Sequence, residues 1–258
     1  MRVGLGARQD AVARRPSPAA NFAGVPNHSP AAVAPAGTKT RVALSWSGGK
    51  DSALALHALR ADPTREVVAL VTTVTGGHDR IAMHGVRRSL LHAQAASLGL
   101  PVIEVAIPQR CSNDAYESAM EAAFARLAAD GVPEVAFGDL YLADVRAYRD
   151  RLVARGGLAA LYPLWKRDTA VLAREFIALR FRAVLVCVDP AQVDVAFCGR
   201  EYDDALLDAL PSSADPCGEN GEFHTFVYDG PGFRAPVVVE RGQHVERDGF
   251  WFCDLHPA

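Results

Sequence analysis

The chain has 258 residues, half of them apolar and about a fifth charged, with a formal net charge of −3. This composition is typical of an ordinary globular protein. The negative net charge argues against a protein that coats nucleic acid, although it does not exclude a local basic patch. No apolar run approaches the ~20 residues that a membrane-spanning helix needs. The five cysteines form no C-x-x-C pair, which argues against a disulfide scaffold or a cysteine-only metal site and favours the cytoplasm.

Residues 1–39 are rich in Ala, Pro and Gly and show neither helical nor strand periodicity. This composition predicts a disordered tail. The pair Arg14-Arg15 is not followed by the apolar segment that an export signal requires. An organellar presequence and an over-long translated start remain open as explanations of the tail.

From residue 40 the chain alternates between strand-like and helix-like segments. The predicted strands are rich in β-branched residues and apolar on both sides, which favours a parallel sheet with helices on both faces. The predicted strands cover 41–46, 66–73, 102–107, 135–137 and 183–188, and the predicted helices 51–60, 86–98, 113–130, 144–155 and 168–180. A further helix over 202–210 and short strands over 225–228, 237–240 and 250–253 indicate a smaller region. We therefore expect an α/β Rossmann-like domain over 40–190 and a smaller C-terminal α+β domain over 191–258.

The most demanding motif is Ser47-Gly48-Gly49-Lys50-Asp51-Ser52, between the first predicted strand and helix. Free backbone N–H groups and the positive end of the helix dipole meet at such a turn and attract phosphate. Lys50 adds a mobile charge, and the two serines add hydroxyl donors. Neither the Walker pattern, which would require Gly in place of Leu44, nor the Rossmann fingerprint is met. The motif resembles the PP-loop of the ATP pyrophosphatases, which split ATP into AMP and pyrophosphate.

Polar residues also follow the second predicted strand, at the sheet edge where parallel α/β proteins bind ligands. Thr72 and Thr73 are candidates for holding adenine and ribose through backbone groups. His84 and Arg87 stand near a helix start, where they are candidates for contacting phosphates. A capping or surface histidine and a solvated helix face are the ordinary alternatives for these two residues.

A third group follows the predicted strand over 135–137. Gly138 and Asp139 come directly after it, and Asp139 with Asp51 is a candidate pair for ordering Mg²⁺, which prefers oxygen ligands. A helix cap is the alternative for each carboxylate. Arg146 and Arg149 lie three apart on the next predicted helix and are candidates for receiving an anionic substrate, with a solvated face as the alternative.

A second dense motif is Cys217-Gly218-Glu219-Asn220-Gly221-Glu222-Phe223-His224-Thr225. Glu219 and Glu222 are candidates for handling ammonium or taking a proton during amide formation, and His224 for orienting one of them. A metal site on Cys217 and His224 lacks further ligands at a suitable spacing. Cys217 as a nucleophile and an ordinary acidic turn remain the alternatives.

Together these segments resemble the diphthine–ammonia ligase family, within the PP-loop, adenine nucleotide alpha hydrolase superfamily. The resemblance runs from about Arg41 to Val245. Besides the two motifs above it rests on Met83-His84-Gly85-Val86-Arg87, Phe137-Gly138-Asp139-Leu140, Pro163-Leu164-Trp165 and Cys198-Gly199-Arg200. The PP-loop is shared across the superfamily, whereas the segment from Gly218 to Thr225 is much narrower.

The resemblance implies a HUP-type, Rossmann-like ATP domain and an enzyme that adenylates a carboxylate and transfers ammonia, releasing AMP and pyrophosphate. In the family the carboxylate belongs to diphthine on translation elongation factor 2. The implied catalytic residues are Lys50, Asp51, Asp139, Glu219, Glu222 and His224, with Asp51 and Asp139 as metal ligands. The implied nucleotide-binding residues are Ser47, Gly48, Gly49, Lys50, Asp51, Ser52, Thr72, Thr73, His84, Arg87 and Gly138. Expected partners are ATP with Mg²⁺, the carboxylate substrate and ammonium, with a homodimer left open and neither a membrane nor nucleic acid expected.

The Ala- and Arg-rich composition and the complete Gly-Glu-Asn-Gly-Glu-Phe-His-Thr form are typical of a bacterial member. Bacteria generally lack diphthamide, so the ATP chemistry is expected to carry over and the acyl substrate is left open. Two alternatives remain: a nucleotide-binding HUP protein without chemistry, and a PP-loop enzyme that modifies RNA. The negative charge and the lack of paired cysteines weaken the second alternative.

Overall fold

The computed structural model describes residues 38–76, 80–81 and 85–258. Residues 39–258 form one compact unit. Nearly all of the predicted tail over 1–39, and His84, lie outside the described residues.

The first sheet contains five parallel strands in the spatial order β4-β2-β1-β5-β6. The strands are β1 (Thr40–Ser45), β2 (Arg65–Thr75), β4 (Val102–Ile107), β5 (Glu134–Ala136) and β6 (Ala159–Leu161), with the short β3 (Arg80–Ile81) antiparallel to the end of β2. Chain order reverses at β1, because β2 lies on one side of it and β5 on the other. In open α/β sheets, the crevice outside the carboxyl ends of strands at such a reversal is where ligands bind.

Helices cover both faces of this sheet, as the sequence predicts. They are α1 (Lys50–Ala61), α2 (Arg88–Leu98), α3 (Asn113–Ala129) and α4 (Ala143–Arg155). Alternate residues of β1 point to opposite faces: Val42 and Leu44 pack in one apolar core with α1 and α2, and Ala43 packs in another with α3 and α4. The Rossmann-like fold class is confirmed.

The helix ends have local causes. The Ser112 hydroxyl accepts a hydrogen bond from Ala115 N at 3.3 Å and so caps α3, while Gly99, with φ of 68°, ends α2 in the left-handed conformation. By contrast the N-cap residue of α1 is Gly49, which provides no side-chain hydrogen bond. Because α1 starts at the reversal point of the sheet, its N-terminus adjoins the crevice where a ligand is expected.

A second sheet is antiparallel, in the order β8-β7-β10-β9. Its strands are β7 (Arg182–Val188), β8 (Phe223–Asp229), β9 (Val239–Arg247) and β10 (Phe250–Pro257), and the remaining helices are α5 (Thr169–Ala178), α6 (Asp204–Ala209) and a 3₁₀ turn over Val195–Phe197. The expectation that residues 183–188 extend the parallel sheet is wrong, since β7 pairs antiparallel with β8 and β10. A strand buried on both faces gives the same apolar run in either kind of sheet.

The strand β6 is missing from the sequence prediction, because its Ala-Ala-Leu sequence has no β-branched or aromatic residue to indicate a strand. The division into domains over 40–190 and 191–258 stays a prediction. The two sheets share one large apolar core, which contains Leu44 of β1 together with Val184 of β7 and Phe226 of β8.

Candidate active site

The turn between β1 and α1 is tight and held by its own serines. Gly48 has φ of +80°, a conformation that favours glycine, and Gly49 N donates to Ser47 Oγ at 3.2 Å. The hydroxyls of Ser47 and Ser52 lie 3.3 Å apart, and Ser52 Oγ donates to Gly49 O at 2.8 Å. The predicted strand–turn–helix of the PP-loop is therefore formed, with both hydroxyls beside the N-terminus of α1.

Gln94, on α2, is a residue of the site that sequence reasoning missed. It is fully buried, accepts a hydrogen bond from Trp46 Nε1 at 2.9 Å, and donates to Gly48 O at 3.0 Å and Val227 O at 2.6 Å. A Cβ on Gly48 would lie 2.8 Å from Gln94 Oε1, so the turn and the amide fit only with glycine. The available signal was a glutamine on the apolar face of α2, among Leu90, Leu91 and Leu98.

Thr72 supports the turn from β2. Its buried hydroxyl donates to Trp46 O at 2.8 Å. Thr73 follows on the same strand, past the point where β1 ends with Ser45 opposite Val71. Thr72 thus holds the residue that enters the turn, while the proposed contact of Thr73 with a nucleotide stays a prediction.

The segment over 217–225 lies directly against the PP-loop. Lys50 N donates to the Thr225 hydroxyl at 3.0 Å, and Val227 N donates to Gly48 O at 2.9 Å. Lys50 Nζ also donates to the carbonyl oxygen of Cys217. Two motifs that are widely separated in the sequence therefore form a single site.

The Lys50 side chain is buried, and its ammonium group forms hydrogen bonds within the site. Its ammonium donates to both oxygens of Asp51, at 2.8 and 2.9 Å, and lies 5.9 Å from the ring centroid of Tyr202. Burial is the largest single influence and lowers the pKa of Lys50, but Asp51, Cys217 and Glu219 together raise it by more, so the net shift is upward. Lys50 therefore stays charged, and a phosphate that contacts it must replace part of this pairing.

Gly138 and Asp139 approach the first turn of α1 from β5. A Cβ on Gly138 would lie 2.8 Å from the carbonyl carbon of Asp51, so only glycine allows this approach. Asp139 Oδ2 lies 2.7 Å from Arg149 Nε, and burial raises the pKa of Asp139 although Arg149 opposes the shift. Asp139 in turn raises the pKa of Asp51, where burial is the larger cause. The two carboxylates are thus electrostatic neighbours.

These carboxylates fit Mg²⁺ better than a metal held entirely by protein. Among the described residues no group of three or more His, Cys, Asp or Glu side chains is arranged to hold a metal. Mg²⁺ usually takes one or two carboxylates and completes its shell with waters and substrate phosphates. Asp51 and Asp139 match that donor set beside a turn that fits phosphate.

Glu219 and Glu222 have different environments. Glu219 Oε1 accepts from Leu140 N at 2.9 Å, next to Asp139, and burial raises the pKa of Glu219 to about 7. Glu222 is 1% exposed, and its oxygens accept from Asp215 N at 2.8 Å and Asn220 N at 2.9 Å. Glu219 therefore joins the segment to the loop after β5, while Glu222 holds the segment together.

Asp215 is a second residue that sequence reasoning missed. Its Oδ1 accepts from Cys217 N at 2.8 Å, and its Oδ2 accepts from the Thr169 hydroxyl at 2.7 Å. The residue stands two positions before the recognised motif, in an Ala-Asp-Pro turn that carries no distinctive pattern. It fixes the backbone whose carbonyl oxygen receives Lys50.

The remaining predicted residues are Arg87 and His224. Arg87 donates to Asp254 Oδ2 at 2.6 Å and to Leu255 O at 3.1 Å, so its contacts in the structure are with β10. His224 is partly exposed on β8, opposite Cys187 of β7. The site thus brings together the PP-loop, Thr72, Gly138, Asp139 and the segment over 217–225, while phosphate contact by Arg87 stays a prediction.

A Rossmann-like sheet with a PP-loop at its reversal point defines the class of PP-loop nucleotide-binding α/β proteins. Two family models match the chain in succession: the diphthamide synthase N-terminal domain over residues 40–160 and the diphthamide synthase C-terminal domain over residues 168–256. The chain belongs to the diphthamide synthase family. The family predicted from the motifs is confirmed, and with it an ATP-dependent ligase.

Curated relatives agree with this assignment. The diphthine–ammonia ligase of Mus musculus is 26% identical over 226 residues, which cover 80% of this chain and 85% of that protein. That of Rattus norvegicus is 27% identical over 227 residues, with the same coverage. That of Schizosaccharomyces pombe is 28% identical over 110 residues, 41% of this chain and 18% of that protein. Within the described residues, no helix has the length and apolar character to cross a membrane.

Proposed function

We propose that this protein activates a carboxylate with ATP and Mg²⁺, transfers ammonia to it, and releases AMP and pyrophosphate. The observation that carries the proposal is the direct contact between the PP-loop and the acidic segment, through Lys50 N–Thr225 Oγ1 at 3.0 Å and Lys50 Nζ–Cys217 O. A protein that only binds nucleotide has no need of such a segment at that place. The relatives' name points to diphthine as the first acceptor to test.

The PP-loop side of the site is suited to the leaving pyrophosphate. ATP supplies the AMP group that turns a carboxylate oxygen into a good leaving group. The α1 N-terminus, the hydroxyls of Ser47 and Ser52, and Lys50 are placed to stabilise the negative charge that grows on the pyrophosphate. Asp51 and Asp139 would hold Mg²⁺.

The acidic side is suited to the nitrogen donor. With a pKa of about 7, Glu219 can release and regain a proton near neutral pH, as a group that takes a proton from ammonium must. Glu222 and Asp215 keep the backbone around Glu219 in place through hydrogen bonds to main-chain N–H groups. The function of Glu222 in this proposal is to position the segment.

The proposal is tested by product analysis. The protein is incubated with ATP, Mg²⁺, ammonium and elongation factor 2 carrying diphthine, and AMP, ADP and pyrophosphate are quantified. We expect AMP and pyrophosphate in equal amounts, dependent on both ammonium and the acceptor. ADP as the sole nucleotide product would contradict the proposal.

Two alternatives have their own outcomes in the same experiment. ATP binding without cleavage, with every acceptor, would favour a non-catalytic HUP protein. AMP formation that depends on tRNA would favour an RNA-modifying enzyme. A bacterial source, a location in the cytoplasm and a homodimer stay predictions, and a bacterial source would call for other carboxylates in place of diphthine.

A further inference from the structure

Arg146, on the first turns of α4, lies over two neighbouring aromatic rings. Its guanidinium carbon lies 4.6 Å from the ring centroid of Tyr162 and 4.7 Å from that of Trp165. The two rings are 5.8 Å apart and tilted by 58°. Cation–π contacts of this kind restrict the movement of a guanidinium while its N–H groups can still bind a ligand.

The ion pair formed by the Arg146 side chain is weak. In the part of the chain that the structure describes, its ion pair is a 3.7 Å contact from Nε to Asp150 Oδ2. Asp150 itself accepts a hydrogen bond from the Tyr162 hydroxyl at 2.8 Å. Because Arg146 is 38% exposed and Asp150 48%, solvent weakens this contact.

Arg149, one turn further along α4, forms a closer ion pair than Arg146. Its Nε lies 2.7 Å from Asp139 Oδ2, and its guanidinium stacks on Phe137 at 4.6 Å. Arg149 is therefore already paired within the site. Of the two arginines on this face, Arg146 is the one that is both positioned and accessible.

The cluster formed by Arg146, Tyr162 and Trp165 lies at the sheet edge that also carries the PP-loop. Tyr162 follows β6 directly and stacks on Phe137 at 5.7 Å, and the neighbouring Gly138 packs against the backbone of Asp51. On its other side, Lys166 N, next to Trp165, donates to Leu140 O at 2.7 Å. The cluster thus lies at the carboxyl ends of β5 and β6, on the same edge of the sheet as the PP-loop, and next to the residue that binds Glu219.

We propose that Arg146, held in place by its contacts with the rings of Tyr162 and Trp165, binds the carboxylate of the acyl substrate. A planar guanidinium binds a carboxylate through two parallel hydrogen bonds, which fixes its orientation as well as its position. The identity of the ligand rests on the proposed ligase function. The amide group of the product, which has lost the negative charge of the carboxylate, binds this site more weakly, and this difference favours product release.

The test is a binding cycle that requires no turnover. Calorimetry without ATP measures the affinity of wild type and Arg146→Gln for elongation factor 2 carrying diphthine and for the same factor carrying the amidated product. Wild type is expected to prefer the carboxylate form by about tenfold or more, and Arg146→Gln to lose most of that preference. Trp165→Leu, which keeps the charge but removes one ring, is expected to reduce the preference in part.

Arg151→Gln is the matched control, since Arg151 is an exposed arginine on the same helix. It should retain the wild-type preference. Equal affinity of wild type for the two forms, or an unchanged preference in Arg146→Gln, would overturn the proposal. A carboxylate preference that depends on Arg146, together with no AMP release, would instead refute the ligase function and leave the binding site standing.

Discussion

The backbone N–H of Lys50 donates a hydrogen bond to the Thr225 hydroxyl at 3.0 Å, across a separation of 175 residues. The first N–H of a helix has no partner within the helix, and a side-chain oxygen from the same turn usually provides one. In α1 that partner comes from β8 of the second sheet. The N-terminus of α1 is therefore completed by a residue of the second motif, over residues 217–225.

Thr225→Val removes this oxygen while preserving the shape of the side chain. Both groups are buried, so the variant leaves the Lys50 N–H without an acceptor, and we expect a loss of about 1–3 kcal/mol in the free energy of unfolding. Urea unfolding measures it. Thr225→Ser, which keeps the hydroxyl, should lie closer to wild type than the valine variant; the opposite order would show that packing matters more than the hydrogen bond.

Lys50→Ala tests the charge beside the turn. If Lys50 stabilises the leaving pyrophosphate, its loss should reduce the rate of AMP formation by about a hundredfold or more. The measurement is AMP release at saturating ATP, together with a thermal unfolding curve that shows whether the variant is folded. Lys39→Ala, at an exposed lysine, serves as the control and should match wild type. A folded Lys50→Ala protein with normal turnover would contradict the assigned role.

The sequence predicts the PP-loop well because its causes are local. Gly48, with φ of +80°, follows a strand and precedes a helix, and both elements are recognisable from their own periodicity. The same is true of the core positions of β1, where Val42 and Leu44 alternate with Ala43 between two apolar cores. Such features depend on neighbours in the chain, which a sequence displays directly.

The parts that sequence reasoning missed depend on distant partners. β7 gives an apolar run that fits a parallel or an antiparallel sheet, and only its pairing with β8 and β10 decides between them. In the sequence, Gln94 is simply one polar residue in a helix. Its role in the site becomes visible only from its hydrogen bonds with Trp46, Gly48 and Val227. The contact of Arg87 with Asp254 of β10 likewise depends on how the second sheet packs against α2.

Gly138→Ala tests the close approach of β5 to α1. The new Cβ would lie 2.8–3.0 Å from backbone atoms of Asp51 and Ser52, which cannot move as easily as a side-chain end. We expect a loss of about 1–3 kcal/mol in the free energy of unfolding, and weaker ATP binding because the first turn of α1 is displaced. Urea unfolding and calorimetry with ATP measure the two effects.

Gly76→Ala is the matched control for stability. Its Cβ would lie 3.6 Å from Ile107 O, an ordinary van der Waals distance. It should therefore cost much less than Gly138→Ala. Equal losses in the two variants would show that the approach of Gly138 to α1 is not the cause.

Glu219 gives a prediction with a defined pH range. Its carboxyl has an ordinary pKa of 4.5, and burial in the folded protein raises the pKa to about 7. Between these values the folded state binds more protons than the unfolded chain, so this group reduces stability as the pH rises from 4.5 to 7. Glu219→Gln removes the effect, and the difference in free energy of unfolding, variant minus wild type, should increase over this range and then level off.

Urea unfolding at several pH values measures that difference, and the rate of acceptor-dependent AMP formation provides an independent readout. If the ionised Glu219 takes a proton from ammonium, the wild-type rate should rise with an apparent pKa of about 7, and the glutamine variant should be slower without that rise. A stability difference that does not change with pH would show that the carboxyl is not buried as described. A pH profile shared by both proteins would assign the proton transfer to another group.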